Sequence, residues 1–192
     1  MKTTNLLFLA LFPISVIGHA QSYLPANDVP VEKFVQRDRT VVPGLMVYGV
    51  PWTASRQEFE QAFGPPSGVF YIRDDAVALV YGKQHVFVFE KNILREVSVD
   101  SRLFNFVLDA HVLPHPFLDS GMVTFAPGVK LRMPAAEVAT LLPGTVPKAE
   151  DMPQKVTYVT EYASVTIWFA TISSPEVPSG RKEVFAYTIR GQ

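Results

Sequence analysis

The stretch VYGVPWTASRQEFEQAFGPPSG, Val47 to Gly68, changes from strand-forming residues to a short helical pattern that stops at Gly-Pro-Pro. Ser55 and Glu58 have the S-x-x-E spacing of a capping box, and Thr53 is an alternative cap. Gly64 and the two prolines after it form a helix stop signal. A helix of under about twelve residues is marginal alone in water, so this predicted helix must pack against another element.

Four runs rich in strand-forming residues follow the helix: GVFYIR, AVALVYG, QHVFVFE and ILREVSV. Their separators, Asp74-Asp75, Gly82-Lys83 and Lys91-Asn92, are two-residue hairpin candidates. The strands are therefore expected to pair antiparallel in sequence order and to bury Phe59 and Phe63 from the apolar face of the helix.

A similar pattern begins again at residue 128. GVKLRMPAAEVATLLPG predicts a second short helix that buries Leu141 and Leu142. The strand-like runs KVTYVT, SVTIWFAT and EVFAYTIR follow, and SSPEVPSG is expected to form a longer hairpin loop. The sequence thus predicts an α+β fold, a tandem repeat of a short helix packed on an antiparallel three- to four-stranded meander. The predicted boundaries are a signal peptide at 1–20, an arm at 21–43, a first repeat at 44–100, a connector at 101–127 and a second repeat at 128–192.

The first twenty residues, MKTTNLLFLALFPISVIGHA, combine Lys2, an apolar run and small residues at Gly18 and Ala20. This pattern predicts a secretory signal peptide cleaved after Ala20, which would release a periplasmic or secreted protein. The apolar run is shorter than the roughly twenty residues that a membrane-spanning helix needs, so no integral membrane segment is expected after cleavage. The chain contains no cysteine, which excludes disulfides, thiolate metal sites and a lipidated cysteine.

The phrase YGVPWTASRQEFEQAFGPP resembles the start of the β-lactamase-inhibitor-protein fold and of the small outer-membrane assembly lipoproteins. ALVYG and VFVFEKNILREV are similar to the strands that follow in those families. The resemblance covers residues 44–99 well and residues 128–190 loosely. It implies a concave sheet surface that grips another protein, but it transfers no individual binding residue to this chain. The absence of a cysteine to carry lipid departs from the lipoproteins.

The charge pattern and the histidines favour neither nucleic acid nor metal. The net charge is −1 and the lysines and arginines are scattered singly, so no basic run is present to neutralise phosphates. His111 and His115 have the spacing of a helical metal pair, yet Pro114 and Pro116 argue against a helix there. His85 lies in an apolar strand pattern. We therefore predict no metal and no cofactor.

Catalytic patterns are also lacking. The chain has no G-x-S-x-G, no H-E-x-x-H and no cysteine nucleophile. Ser120 lies near Asp119 and His115 in the sequence, but neighbours in sequence rarely form a triad. The acidic pairs Asp74-Asp75 and Glu150-Asp151 fit solvated turns. We therefore expect a protein that is not an enzyme.

Aromatic residues make up 12% of the chain and many fall in predicted strands. In SVTIWFAT, strand alternation separates Val165, Ile167 and Phe169 from Trp168. If the aliphatic set packs on the helix, Trp168 points to the open face. Phe185 and Tyr187, which share one parity on the last strand, are further candidates for protein binding. A role in filling the junction between the two repeats is an equal alternative for all three.

These features lead to one leading hypothesis, an exported non-enzymatic protein-binding module of the inhibitor, immunity or envelope-assembly type that uses a sheet surface. The expected partner is another protein of the cell envelope. Two alternatives are a hydrolase that acts on envelope polymers through dispersed carboxylates and a carrier of a small apolar ligand. A closed pocket with convergent carboxylates would favour the hydrolase, whereas an open aromatic sheet would favour the binder.

Overall fold

The computed structural model of this 192-residue chain describes residues 38–101, 115–119, 123–144, 154–174 and 177–192. Twelve strands and two helices lie within these ranges. In chain order they are β1 (Thr40–Val42), β2 (Met46–Val47), β3 (Val50–Pro51), α1 (Arg56–Phe63), β4 (Gly68–Arg73), β5 (Ala76–Tyr81), β6 (His85–Glu90), β7 (Ile93–Asp100), β8 (Thr124–Phe125), β9 (Val129–Lys130), α2 (Ala135–Leu141), β10 (Lys155–Val159), β11 (Ala163–Ser174) and β12 (Val177–Gly191).

Two sheets organise the described residues. The larger has seven antiparallel strands in the order β10-β11-β12-β7-β6-β5-β4. The smaller has five short strands in the order β3-β2-β1-β8-β9. One apolar cluster runs between them and includes residues from both halves of the chain, from Val41 to Ile189.

The predicted architecture, a tandem of helix-on-meander units, is wrong. β7 pairs antiparallel with β12, so the strands after the two helices form one continuous seven-stranded sheet. β1 pairs parallel with β8, so the short strands before the helices form the second sheet. The physical reason is that an isolated meander exposes unpaired backbone groups along two edges, and joining strands from both halves satisfies groups that separate units would leave open.

The local predictions for the first half are confirmed for α1, for the strand order and for the Lys91-Asn92 turn, but the predicted two-residue turn at Gly82-Lys83 is wrong, because three residues, 82–84, separate β5 from β6. Ser55 caps α1 and forms the complete capping box with Glu58, and Gly64 ends the helix with a φ of 82°. Phe59 and Phe63 are fully buried. β4 to β7 pair in sequence order, and both residues of the Lys91-Asn92 turn have positive φ values, the geometry of a tight hairpin turn.

The second helix is shorter and less well capped than the first. α2 begins after Pro134, which makes no side-chain capping hydrogen bond. Val138 is fully buried and Leu142 is nearly so, as expected for the apolar face, but Leu141 is only partly buried. The predicted loop SSPEVPSG is wrong in extent, because β11 runs to Ser174 and β12 starts at Val177.

The predicted arm and the predicted connector both contribute strands to the small sheet. β1 uses the last residues of the predicted arm, and β8 lies in the predicted connector. The signal peptide, His111, Ser120 and the pair Glu150-Asp151 lie outside the described residues. Neither α1 nor α2, the helices of the described ranges, has the length and apolar character needed to cross a bilayer.

Candidate protein-binding face

The two faces of the seven-stranded sheet differ in what covers them. On the inner face, Phe59 of α1 packs with its ring centroid 4.6 Å from that of Phe87, and Phe125 of the small sheet lies 4.9 Å from Tyr187. The residues that alternate with the inner set point to the other side, which we call the outer face. Within the described ranges, we find both helices and the small sheet on the inner side. On β10 and β11 this outer face carries side chains that are partly or fully exposed, Trp168 and Thr157 among them.

Trp168 lies on the outer face, as strand alternation predicts. Its neighbours Ile167 and Phe169 are buried on the inner face, while Trp168 is partly exposed. β10 pairs Lys155 directly opposite Trp168, and the Lys155 ammonium lies 5.8 Å from the Trp168 ring centroid. A cation at this distance from an aromatic ring is attracted by it, so Lys155 helps to hold the indole in place.

A row of hydroxyl groups crosses four adjacent strands beside Trp168. Thr157, Thr166, Thr188 and Ser98 face one another in register from β10 to β7. Thr157 bonds Thr166 at 3.0 Å, and Ser98 bonds Thr188 at 2.8 Å. A hydroxyl has one hydrogen and two lone pairs, so each pair keeps hydrogen-bonding capacity for a partner. We call Lys155, Trp168 and this row the outer-face patch.

Ion pairs and apolar side chains continue the outer face towards β4. Arg190 pairs with Glu96 at 3.1 Å, next to the hydroxyl row. Beyond it, Phe70, Val86 and Val88 are partly exposed on β4 and β6. The outer face thus combines an aromatic and polar half with an apolar half, a composition common at protein interfaces.

Phe185 and Tyr187 do not join Trp168 on the outer face. The register pairs Trp168 with Ala186 but Phe169 with Val184, so Phe185 is the extra residue of a β-bulge. The bulge reverses the alternation of β12 and turns Tyr187 inward, where its side chain is fully buried. Tyr187 therefore lies in the core between the sheets and not on the outer face.

Phe185 lies in an environment that differs from those of Trp168 and Tyr187. Its carbonyl accepts hydrogen bonds from the backbone N–H and the hydroxyl of Ser101, both at 3.0 Å. Its side chain is partly exposed and lines a cleft of about 450 Å³ that Phe169, Thr171 and Lys182 also line. Trp168 is not among the residues that line this cleft. The three predicted contact residues thus lie in three places, and only Trp168 remains in the outer-face patch.

A second group of polar residues is buried on the inner side and comprises His85, His115 and Asp119, which we call the buried polar cluster. His85 is fully buried on β6, and its Nδ1 lies 4.0 Å from Oδ1 of Asp119. Neither of these atoms forms a hydrogen bond within the part of the chain that the structure describes. The other carboxylate oxygen of Asp119 accepts the N–H groups of Lys83 and His115 at 2.9 and 2.7 Å.

Burial governs the protonation of this cluster. Burial, together with a smaller effect of the nearby His115, lowers the pKa of His85 to about 3. Burial also lowers the pKa of His115, against the opposing effects of the Phe63 carbonyl and Asp119. The same burial raises the pKa of Asp119, against the N–H groups that bind its carboxylate. Both histidines are therefore neutral at neutral pH.

The buried polar cluster does not resemble a metal or catalytic site. In the described ranges, no group of three His, Cys, Asp or Glu side chains is placed to hold a metal ion. His85 has no exposed surface, and His115 is 4% exposed, so a substrate cannot reach either ring. Several carboxylates are held in separate ion pairs instead, including Glu60 with Arg56, Glu90 with Arg73 and Glu183 with Arg181.

Sequence reasoning missed the outer hydroxyl row and the buried polar cluster. Threonine recurs at the outward-facing parity of KVTYV, SVTIW and YTIR, and this repetition could have indicated the row. The contact of Asp119 with the turn at Gly82 and Lys83 joins residues 36 positions apart. No local pattern indicates such a contact.

Comparison with known proteins leaves the family open. No family model matches the chain, and no curated protein matches it. Among solved structures, a cysteine-rich secretory protein from Staphylococcus aureus subsp. aureus Mu50 aligns with a TM-score of 0.37 and 10% sequence identity. The alignment covers 80% of this chain and 49% of that protein, so the chain spans about half its length. A similarity this low assigns neither a fold family nor a function.

Proposed function

We propose that this chain is an exported, non-enzymatic protein-binding module that binds its partner through the outer-face patch. The proposed partner is another protein, in the cell envelope or outside the cell. Export rests on the signal-peptide pattern of residues 1–20, and detection of a chain that begins at Gln21 in periplasmic or secreted material would test it.

The position of Trp168 carries the proposal. A large aromatic side chain usually lies in the core, yet Trp168 is on the sheet face opposite to α1 and the small sheet, held by Lys155. Tryptophan is enriched among the few residues that supply most of the binding energy of protein interfaces. The hydrogen-bonding row beside it provides the polar surroundings that such an anchor needs.

The alternative functions receive less support. A carrier needs an apolar cavity, but the space between α1 and the sheet is filled by aromatic rings, with Phe59 in contact with Phe63, Tyr81, Phe87 and Phe89. A hydrolase needs carboxylates that converge on a cleft. On the outer face, the carboxylates of Glu96 and Glu90 are instead each engaged in an ion pair with an arginine, Arg190 and Arg73.

The test is capture of a partner from envelope extract by the immobilised mature chain, followed by affinity measurement with the purified partner. Trp168→Ala is expected to weaken binding by about 2 kcal/mol, roughly 30-fold, because the anchor is lost. Trp168→Phe, which keeps an aromatic ring, is expected to retain part of the affinity. Tyr71→Ala is the matched control, since Tyr71 is 52% exposed on β4 at the far edge of the sheet.

The variants separate the outcomes. A partner that binds Trp168→Ala and the wild-type chain equally would overturn the outer-face patch. A partner lost with Tyr71→Ala but not with Trp168→Ala would place the interface at the β4 edge. Circular dichroism melts of each variant must match the wild type closely for the binding results to count.

A further inference from the structure

Residues 115–119 connect three parts of the inner layer through side-chain hydrogen bonds. Nε2 of His115 lies 3.0 Å from the carbonyl oxygen of Phe63, the last residue of α1. Nδ1 of the same ring accepts the backbone N–H groups of Phe117 and Leu118 at 3.2 and 3.1 Å. Asp119 continues the connection to the β5–β6 turn through the N–H of Lys83.

These contacts determine the state of the imidazole ring. Because two N–H groups donate to Nδ1, that nitrogen carries no hydrogen. The ring hydrogen is therefore on Nε2, where it is donated to the Phe63 carbonyl. This set of hydrogen bonds thus requires the neutral His115 ring with its hydrogen on Nε2.

Protonation would disrupt this arrangement. A hydrogen on Nδ1 would face the N–H groups of Phe117 and Leu118, so that donors would point at one another. Both hydrogen bonds would then be lost. The two residues would lose their anchor while their side chains, each 1% exposed, are packed in the inner layer. Their release would expose apolar surface beside Phe63.

We propose that His115 is a proton-sensitive latch: its neutral ring holds residues 115–119 on α1, beside the contact of Asp119 with the β5–β6 turn, and protonation of the ring in acid releases Phe117 and Leu118. The proposal concerns a conformational response of the inner layer and does not depend on the outer-face patch. It applies to any compartment whose pH falls below the ordinary range of histidine titration.

Some groups around the His115 ring favour its neutral form and others favour its charged form. From β5, the Tyr81 ring packs edge-on with its centroid 5.6 Å away, and from β6 the neutral His85 lies close enough to interact. The guanidinium of Arg39 lies 4.5 Å from the Phe117 ring centroid and donates to the Phe117 carbonyl, so a positive charge already borders the segment. Lys83 is a second cation beside Asp119. The Phe63 carbonyl and, to a lesser extent, Asp119 favour a charged His115.

The sign of the response follows from burial. Burial lowers the pKa of His115 in the folded chain below the ordinary value of about 6.5. The His115 ring stays neutral in the fold but takes up a proton in the released state below about pH 6.5. The latch is therefore fully stable above about pH 6.5. The latch weakens as the pH falls from there towards the lowered value.

The experiment is NMR of the mature chain between pH 7.5 and 4.5. Nitrogen shifts of the histidine rings are expected to show the Nε2–H tautomer of His115 at pH 7.5. Protection of the Leu118 amide against hydrogen exchange, corrected for the intrinsic effect of pH, is expected to fall about tenfold or more in acid while the centre of β6 stays protected. The loss of Leu118 protection and the titration of the His115 ring should have the same midpoint pH.

Two substitutions distinguish the release caused by His115 protonation from a general loss of stability in acid. His115→Asn leaves a side-chain oxygen near the Nδ1 position without a titrating group, so Leu118 protection should become insensitive to pH. His85→Leu removes the other histidine of the cluster and should leave the response in place. An Nδ1–H tautomer at pH 7.5, a response that survives His115→Asn, or one that disappears with His85→Leu would overturn the proposal.

Discussion

Neighbouring residues of β11 show how differently the two faces of the seven-stranded sheet are used. Ile167 is fully buried under the inner layer, whereas Trp168 is partly exposed on the outer face. The inner face also carries Phe87 and Phe89 beneath α1, while the outer face carries paired hydroxyls and ion pairs. The same strand thus contributes to the core on one side and to the proposed binding surface on the other, because side chains alternate across a sheet.

The inner face also contains polar atoms, some of which form hydrogen bonds while others do not. His115 uses both ring nitrogens in hydrogen bonds, whereas both nitrogens of the fully buried His85 have no partner in the described part of the chain. Buried polar groups without partners are costly. The inner face should therefore be more sensitive than the outer face both to loss of apolar volume and to pH.

The largest effect is expected from truncation under α1. Phe63→Ala should lower the free energy of unfolding by about 3–5 kcal/mol, because Phe63 is fully buried and contacts Phe59, Tyr48 and Phe117. Phe70→Ala, on the outer face, is the matched control and should cost much less. Urea unfolding of both variants checks this, and equal losses would mean that the two faces do not differ.

The pair on β11 gives a closer test. Ile167→Ala should lower the free energy of unfolding by about 2–5 kcal/mol, the usual range for a fully buried aliphatic residue. Trp168→Ala should cost less than half as much, although it removes the larger side chain. Denaturant unfolding at one pH compares them. If Trp168→Ala is the more damaging, Trp168 belongs to the core and the outer-face patch is misplaced.

The pH dependence of stability should depend on His85. Its pKa is about 3 in the fold, so unfolding takes up a proton below about pH 6.5 and the free energy of unfolding falls by up to about 1.4 kcal/mol per pH unit towards pH 3. The raised pKa of Asp119 acts in the opposite direction, since the fold keeps that proton at a higher pH than the unfolded chain. His85→Leu should reduce the slope between about pH 6.5 and 4, and His115, whose pKa burial also lowers, should supply part of the slope that remains. An unchanged slope in urea titrations would exclude His85 as its source.

The smallest effect is expected at the start of α1. Ser55→Ala removes the hydroxyl that accepts the N–H of Glu58 at 3.2 Å and should cost about 1 kcal/mol. Ser55→Asp keeps an acceptor and should restore most of the loss. Thermal unfolding measures both variants. A loss as large as that of Phe63→Ala would indicate that the cap supports more than the first turn of the helix.

The features that the sequence predicted well depend on residues close together in the chain. The capping box of Ser55 and Glu58 spans one helical turn, and the Lys91-Asn92 turn spans two residues. The alternation that placed Trp168 opposite to Ile167 holds because β10 and β11 pair without a register shift. The Phe185 bulge breaks the same rule on β12, which is why Tyr187 was placed on the wrong side.

The sequence by itself determined where the helices begin and end, where the hairpins of β4 to β7 turn, and which face of β11 is apolar, since these follow from short-range capping, turn and alternation chemistry. Only the tertiary structure decided that β7 pairs with β12 and β1 with β8, which merges the two halves into shared sheets. It also decided that Asp119 and His115 meet the β5–β6 turn and α1. Such contacts join backbone edges and buried polar atoms that lie far apart in the chain, and their partners are chosen by the need to satisfy hydrogen bonds throughout the fold.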